Sequence, residues 1–179
     1  MRRTRAARGI DALDRRGDHA LVFFETLPAV GARIVLDACV YIDQLQDRLP
    51  APIEERVLMR PASHSSLVLA ELSYTLGRLD PSDSRTKAHS HAIVALLDSI
   101  PPARILTPTP EDQAEGAIAA GVMARKLGYN EADRRKALLD AMLARQAARE
   151  GLCLVTRNVG DFDRLSQLDR RLQVAFYRR

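Results

Sequence analysis

The stretch Leu138–Asp163, LLDAMLARQAAREGLCLVTRNVGDFD, decides how this chain is read. It divides into three pieces. Leu138 to Glu150 has the composition of a helix and carries one acid, Asp140, near its start. Gly151 stops that helix, as glycine does at a left-handed C-terminal cap. Leu152 to Val155 is then a short apolar strand, and it runs into a polar cluster of Thr156, Arg157, Asn158 and Asp161. In open parallel sheets, ligands bind beyond the carboxyl ends of the strands. An acid inside an apolar helix face, followed by a strand that delivers polar groups to the sheet's rim, points to a metal site.

Two other stretches supply acids of the same kind. Ile34–Ile42, IVLDACVYI, is a nearly continuous apolar run, which suits a strand covered on both faces. Asp37 ends its first half. A lone buried carboxylate costs several kcal/mol unless it is paired, hydrogen-bonded or metal-bound. A functional role for Asp37 therefore outweighs the simpler one of N-cap to a following helix. Ser63–Leu79, SHSSLVLAELSYTLGRL, reads as a helix or a strand–helix unit capped by Ser65 or Ser66, and Glu71 interrupts its apolar residues. Clustered carboxylates without Cys or His suit a hard divalent ion, Mg²⁺ or Mn²⁺. His64 has no partner at ligand spacing and reads as a surface residue or local cap. His89 and His91, two apart on a helix, do not share a face and read as structural.

The rest of the chain alternates helix and strand. A helix is predicted over Ile53–Leu58 and another over Thr86–Leu97, ended by Ser99 and the Pro101-Pro102 pair. Arg104–Leu106 reads as a strand. Thr109-Pro110-Glu111-Asp112 starts a helix that runs to Leu127 and closes at Gly128, so these two acids serve as cap and dipole residues. Asn130–Lys136 reads as a charged connector whose basic face, Arg134, Arg135 and Lys136, lies close to Asp140. A helix over Phe162–Leu168 and a strand over Leu172–Tyr177 end the chain. The pattern predicts an α/β fold: one domain over 33–179, with a central, mostly parallel sheet flanked by helices. Residues 1–32 read as a basic N-terminal extension bearing Arg2, Arg3, Arg5 and Arg8, in which LVFFETLPAVGA forms a short helix or strand.

Composition narrows the function. A chain of 179 residues with 46% hydrophobic and 28% charged residues is an ordinary globular domain. Aromatics are 4% and Trp is absent, so no base-stacking platform is evident. A net charge of +4 permits contact with phosphates without demanding it. Cys39 and Cys153 lie in apolar runs and read as buried free thiols. No stretch is long and apolar enough to span a membrane, no secretory signal is visible, and a cytoplasmic protein is the default. No Gly-rich loop follows the first strand, which counts against a nucleotide-binding protein.

These motifs resemble those of the PIN-domain ribonucleases, most closely the VapC-type toxins of toxin–antitoxin pairs. IVLDACVYID looks like the family's first motif with Asp37, LVLAEL like the second with Glu71, and the opening stretch like the third and fourth with Asp140. The resemblance covers Arg33 to the C-terminus. It implies a Mg²⁺-dependent endoribonuclease, with Mn²⁺ as the alternative ion, that hydrolyses RNA with a metal-activated water. Asp37, Glu71 and Asp140 would hold the ion, and either Asn158 or Asp161 would complete its shell. Thr156 would hydrogen-bond a metal water, and Arg157 with Arg134, Arg135 and Lys136 would position the RNA. A homodimer and a cognate antitoxin are also implied. Two departures stand out. Ala38 and Cys39 replace the hydroxyl and amide residues common after the first acid, and Asn158 stands where some members carry Asp. They motivate an alternative: a catalytically weak PIN-like module acting by RNA or protein binding.

Overall fold

The apolar run around Asp37 forms strand β1 (Ile34–Leu36), with every residue buried. The computed structural model describes residues 13–179, so the arginines at positions 2, 3, 5 and 8 lie outside the described residues. After β1 come helices α1 (Ala38–Leu45) and α2 (Ala51–Leu58), then strand β2 (Ala62–Ser65). Helix α3 (Ser66–Arg78) follows directly, and Ser65 caps it by accepting from the Leu67 backbone N–H. Next are α4 (Thr86–Ser99), β3 (Ile105–Leu106), α5 (Pro110–Leu127), α6 (Glu131–Glu150), β4 (Cys153–Thr156), α7 (Val159–Leu168) and β5 (Gln173–Phe176).

The five strands are all parallel and lie in the order β3-β2-β1-β4-β5. β1 and β4 are central, and the direction of winding reverses between them. Ile34, Val35, Leu36, Leu154 and Val155 fill the middle of the core. Both faces of the sheet are covered, so these strands carry no polar alternation.

Two glycines end the long helices as their positions suggested. Gly128 and Gly151 close α5 and α6 with φ of 65° and 64°, a conformation that a side chain would strain. The α5 start is a full capping box: Thr109 accepts from the Asp112 N–H, and Asp112 accepts from the Thr109 N–H. Helices α5 and α6 pack so closely that a Cβ on Gly116 would fall 2.8 Å from the Met142 backbone. Arg149 adds an ion pair between them to Asp112 at 2.9 Å.

Three local expectations change. Asn130–Lys136 is not a connector: Asn130 caps α6 by accepting from the Asp133 N–H, and the charged run forms its first two turns. The last helix begins at Val159, before Phe162, because Asn158 caps it. His64 is half-buried and shares a 2.6 Å hydrogen bond with Tyr41, so it is neither a surface residue nor a cap. Residues 13–32, read as part of an extension, lie against the domain. Phe24 is fully buried, Phe23 bridges Phe176 at the edge of β5, and Arg16 pairs with the buried Asp163 at 2.7 Å.

Candidate active site

In the pairing of β1 with β4, Leu36 stands opposite Val155. The Asp37 N–H extends that ladder to the Val155 carbonyl at 3.1 Å. Asp37 and Thr156 therefore leave the sheet side by side, at the switch point where open parallel sheets bind ligands. Asp37 occupies the N-cap position of α1, but its side chain does not cap. Its Oδ2 instead accepts from Thr156 Oγ1 at 2.6 Å and from Cys39 Sγ at 3.0 Å. Thr156 thus orients the carboxylate itself. The Cys39 thiol fills the place of a missing hydroxyl as a weak donor. Burial, aided by the charge of Asp37, pushes this thiol up to about 12 and keeps it protonated.

Asn158 joins this pair to the other acids. Its backbone N–H donates to Thr156 Oγ1 at 2.9 Å, and its Oδ1 accepts from the Asp161 N–H as the cap of α7. Its Nδ2 donates to Asp140 Oδ2 and to Asp161 Oδ2, each at 3.0 Å. Asn158 therefore turns its amide nitrogen, not its oxygen, toward the carboxylates. Asp161 also accepts from the Tyr129 hydroxyl at 2.7 Å and faces Lys136 Nζ at 3.6 Å. Lys136 and Asp140 are one turn apart on α6, so both look into the same groove.

The electrostatics follow from this crowding. Burial raises Asp140 well above the usual carboxylate range. Asp37, Asp161 and Glu71 push it further, and Lys136 opposes them. Glu71, half-buried on α3, is raised by burial and by Asp37. Asp161 moves the other way: burial raises it, but the donors Tyr129, Asn158 and Lys136 outweigh burial and leave it low. Hydrogen bonds thus connect Asp37, Thr156, Asn158, Asp140 and Asp161, whereas Glu71 is linked to them by charge.

Among the described residues, no three His, Cys, Asp or Glu side chains are gathered closely enough to share one metal ion. The donor chemistry nevertheless fits a hard divalent cation: oxygen ligands, mutually repelling carboxylates, and a single lysine as counter-charge.

The basic residues divide. Arg134 Nε donates to the Tyr129 carbonyl, and Arg135 is 3.6 Å from Glu131, both at exposed positions on α6. Only Lys136 of that group touches the acids. Arg157 pairs with Asp43 at 2.8 Å. Asp43, which the sequence reading passed over, is fully buried and also accepts from the Tyr177 hydroxyl at 2.7 Å and pairs with Arg179 at 2.6 Å. Burial raises its pKa, yet these three partners hold it below the ordinary value. Tyr129 was missed as well. It stands just past the Gly128 cap, and nothing local marks its contact with Asp161.

No curated protein matches the sequence. Solved structures share its fold. A chain of VapBC2 from Rickettsia felis, bound to a promoter DNA fragment, is 16% identical with a TM-score of 0.57, over 82% of this chain and 99% of that one. DNA-bound VapBC from Salmonella typhimurium gives 19% identity and a TM-score of 0.58, over 82% and 98%. VapBC-5 from Mycobacterium tuberculosis gives 21% and 0.51, over 83% and 100%. The family model described as PIN domain matches residues 34–168, a span that holds β1 to β4, α7 and every acid of the groove. The chain belongs to the PIN domain family.

Proposed function

We propose that this chain is a divalent-metal-dependent endoribonuclease, the VapC-type toxin of a toxin–antitoxin pair. The observation that carries the reading is the set of coupled acids, Asp37, Glu71, Asp140 and Asp161, around the β1–β4 switch point, with Lys136 as the cation among them. Asp37, Glu71 and Asp140 would hold the ion, Mg²⁺ or Mn²⁺. When bound, it would lower the pKa of water and offset charge on a phosphodiester. The chain's own residues orient the acids. Thr156 and Cys39 fix one oxygen of Asp37, Asn158 fixes one of Asp140, and Tyr129 with Asn158 ties both oxygens of Asp161. Asp161 is so fully engaged that it acts by positioning Asn158 and Lys136.

The solved neighbours are VapBC assemblies, two of them on DNA, and this supports an antitoxin partner here; a homodimer is proposed on the family resemblance alone. Among the described residues no helix is long and apolar enough to cross a membrane. A second reading, a PIN-type module that binds RNA or protein without cleaving, is favoured by Ala38, Cys39 and Asn158, which stand where the resemblance places hydroxyl, amide and acid residues. Cleavage of RNA in Mg²⁺ by wild type, Asp37→Ala and Asp140→Asn tests the nuclease. Loss of cleavage in both variants is expected, and equal activity in all three sinks it. Calorimetry separates the two readings, since no heat of binding at millimolar Mg²⁺ or Mn²⁺ leaves only the module.

A further inference from the structure

The acidic groove repels the substrate assigned to it. Asp37, Glu71, Asp140 and Asp161 face one lysine, so a polyanion needs cations at the rim to approach. One edge of the rim is built for this. Asp43 is completely buried and is met by two guanidinium groups, Arg157 at 2.8 Å and Arg179 at 2.6 Å. A single cation would suffice to neutralise it. The second leaves the cluster with a surplus positive charge, and each arginine side chain keeps about a third of its surface in solvent.

The cluster is also tied to the acids. Tyr177 Oη donates to Asp43 and lies 3.4 Å from the Cys39 carbonyl. The Arg157 N–H points to Cys39 Sγ at 3.4 Å, and that thiol bonds Asp37. Arg157 directly follows Thr156, which bonds the same carboxylate.

Resting on the nuclease reading above, we infer that Arg157 and Arg179, braced by Asp43, form a phosphate-binding edge that seats the backbone of single-stranded RNA beside the acidic centre. Guanidinium groups suit this because a fork already held by one carboxylate still presents N–H donors to a phosphate. The surface is sequence-blind, since it reads charge and spacing rather than bases.

The test is binding of a fluorescein-labelled single-stranded RNA to the full chain in EDTA, titrated across salt. Each phosphate contact contributes about 0.7 to the slope of log K against log salt. Arg179→Gln should lower the slope by about 0.7 and weaken binding about fivefold at 0.1 M salt, from the same slope, while Arg179→Lys keeps the slope. To spare the fold an unpaired buried acid, both arginines are removed together with the charge of Asp43, as D43N/R157Q/R179Q. That variant should lose about 1.4 in slope and about 25-fold in affinity. If wild type binds RNA and cleaves it in Mg²⁺ but all the variants keep its salt slope, the edge is structural and this inference fails while the nuclease reading stands. If wild type shows no salt-dependent RNA binding yet cleaves RNA in Mg²⁺, this inference falls alone; if it neither binds nor cleaves, both fall.

Discussion

Replacing Asn158 with Asp should destabilise the protein without divalent ions and much less with them. In the native groove Asn158 Nδ2 donates to Asp140 and Asp161, each at 3.0 Å. A carboxylate there removes both bonds and adds a like charge between two acids. A hydrogen bond to a charged group contributes about 1.5–3 kcal/mol. Because Asn158 and Asp161 are only half-buried, the low end applies, and the pair is worth about 3 kcal/mol. At about 2–4 °C per kcal/mol for a chain of this size, Tm in EDTA should fall by about 6–12 °C. If the acids hold Mg²⁺, binding stabilises both proteins, and the deficit narrows as far as the added carboxylate tightens the site: a hundredfold lower Kd in the variant returns about 2.7 kcal/mol, nearly the whole deficit. Differential scanning calorimetry of both proteins in EDTA and in Mg²⁺ measures this. A deficit of the same size in both buffers would refute a metal contact at position 158. No deficit in EDTA would refute the donor role of Asn158.

Three further outcomes follow from the same structure. Gly116→Ala should cost about 1–3 kcal/mol, read as a lower Tm, because its Cβ would meet Met142 backbone at 2.8 Å and one helix must move. For Asp140 the raised folded pKa means its contribution is intact below the unfolded value near 4 and is lost as pH rises through the higher folded value. In EDTA, Asp140→Asn should therefore be more stable than wild type at neutral pH, with the gap closing toward pH 4 in pH-dependent denaturant unfolding. Cys39, pushed up to about 12, and the buried Cys153 should both resist alkylation at pH 8 in the native protein and react only after guanidinium is added, as mass spectrometry would report.

Local chemistry carried much of this fold. An apolar run ending in Asp37, a proline-led capping box at Thr109, and glycines at 128 and 151 each act over a few residues, and the structure uses each as its residue type suggests. Asn130 also capped its helix in this way, but the EADRRK that follows has no apolar stripe, so helical periodicity was silent there. What failed was long-range. Asp43 reads as the polar end of a helix until Tyr177 and Arg179 return from the far end of the chain to enclose it. His64 looked partnerless because Tyr41 lies on another element. The division of Asn158's atoms was not legible either: its oxygen caps α7 and its nitrogen faces the acids. The resemblance placed these residues in one groove, but which atom faces which carboxylate depends on register and rotamer, not on spacing.

The strand order makes the acidic groove a seam between two portions of the polypeptide. Asp37 and Glu71 precede residue 79, Asp140 and Asp161 follow residue 85, and the turn between α3 and α4 at 79–85 touches none of them. Cutting there would give one fragment β1, β2 and α3 and the other β3, β4, α7 and β5, with the central β1–β4 hydrogen bonds and the outer β2–β3 bonds as the joints. Neither fragment would own a groove. If the proposed nuclease reading holds, coexpressed halves would regain RNA cleavage only by re-forming that central pairing, so the catalytic readout would double as a sensor of reassembly.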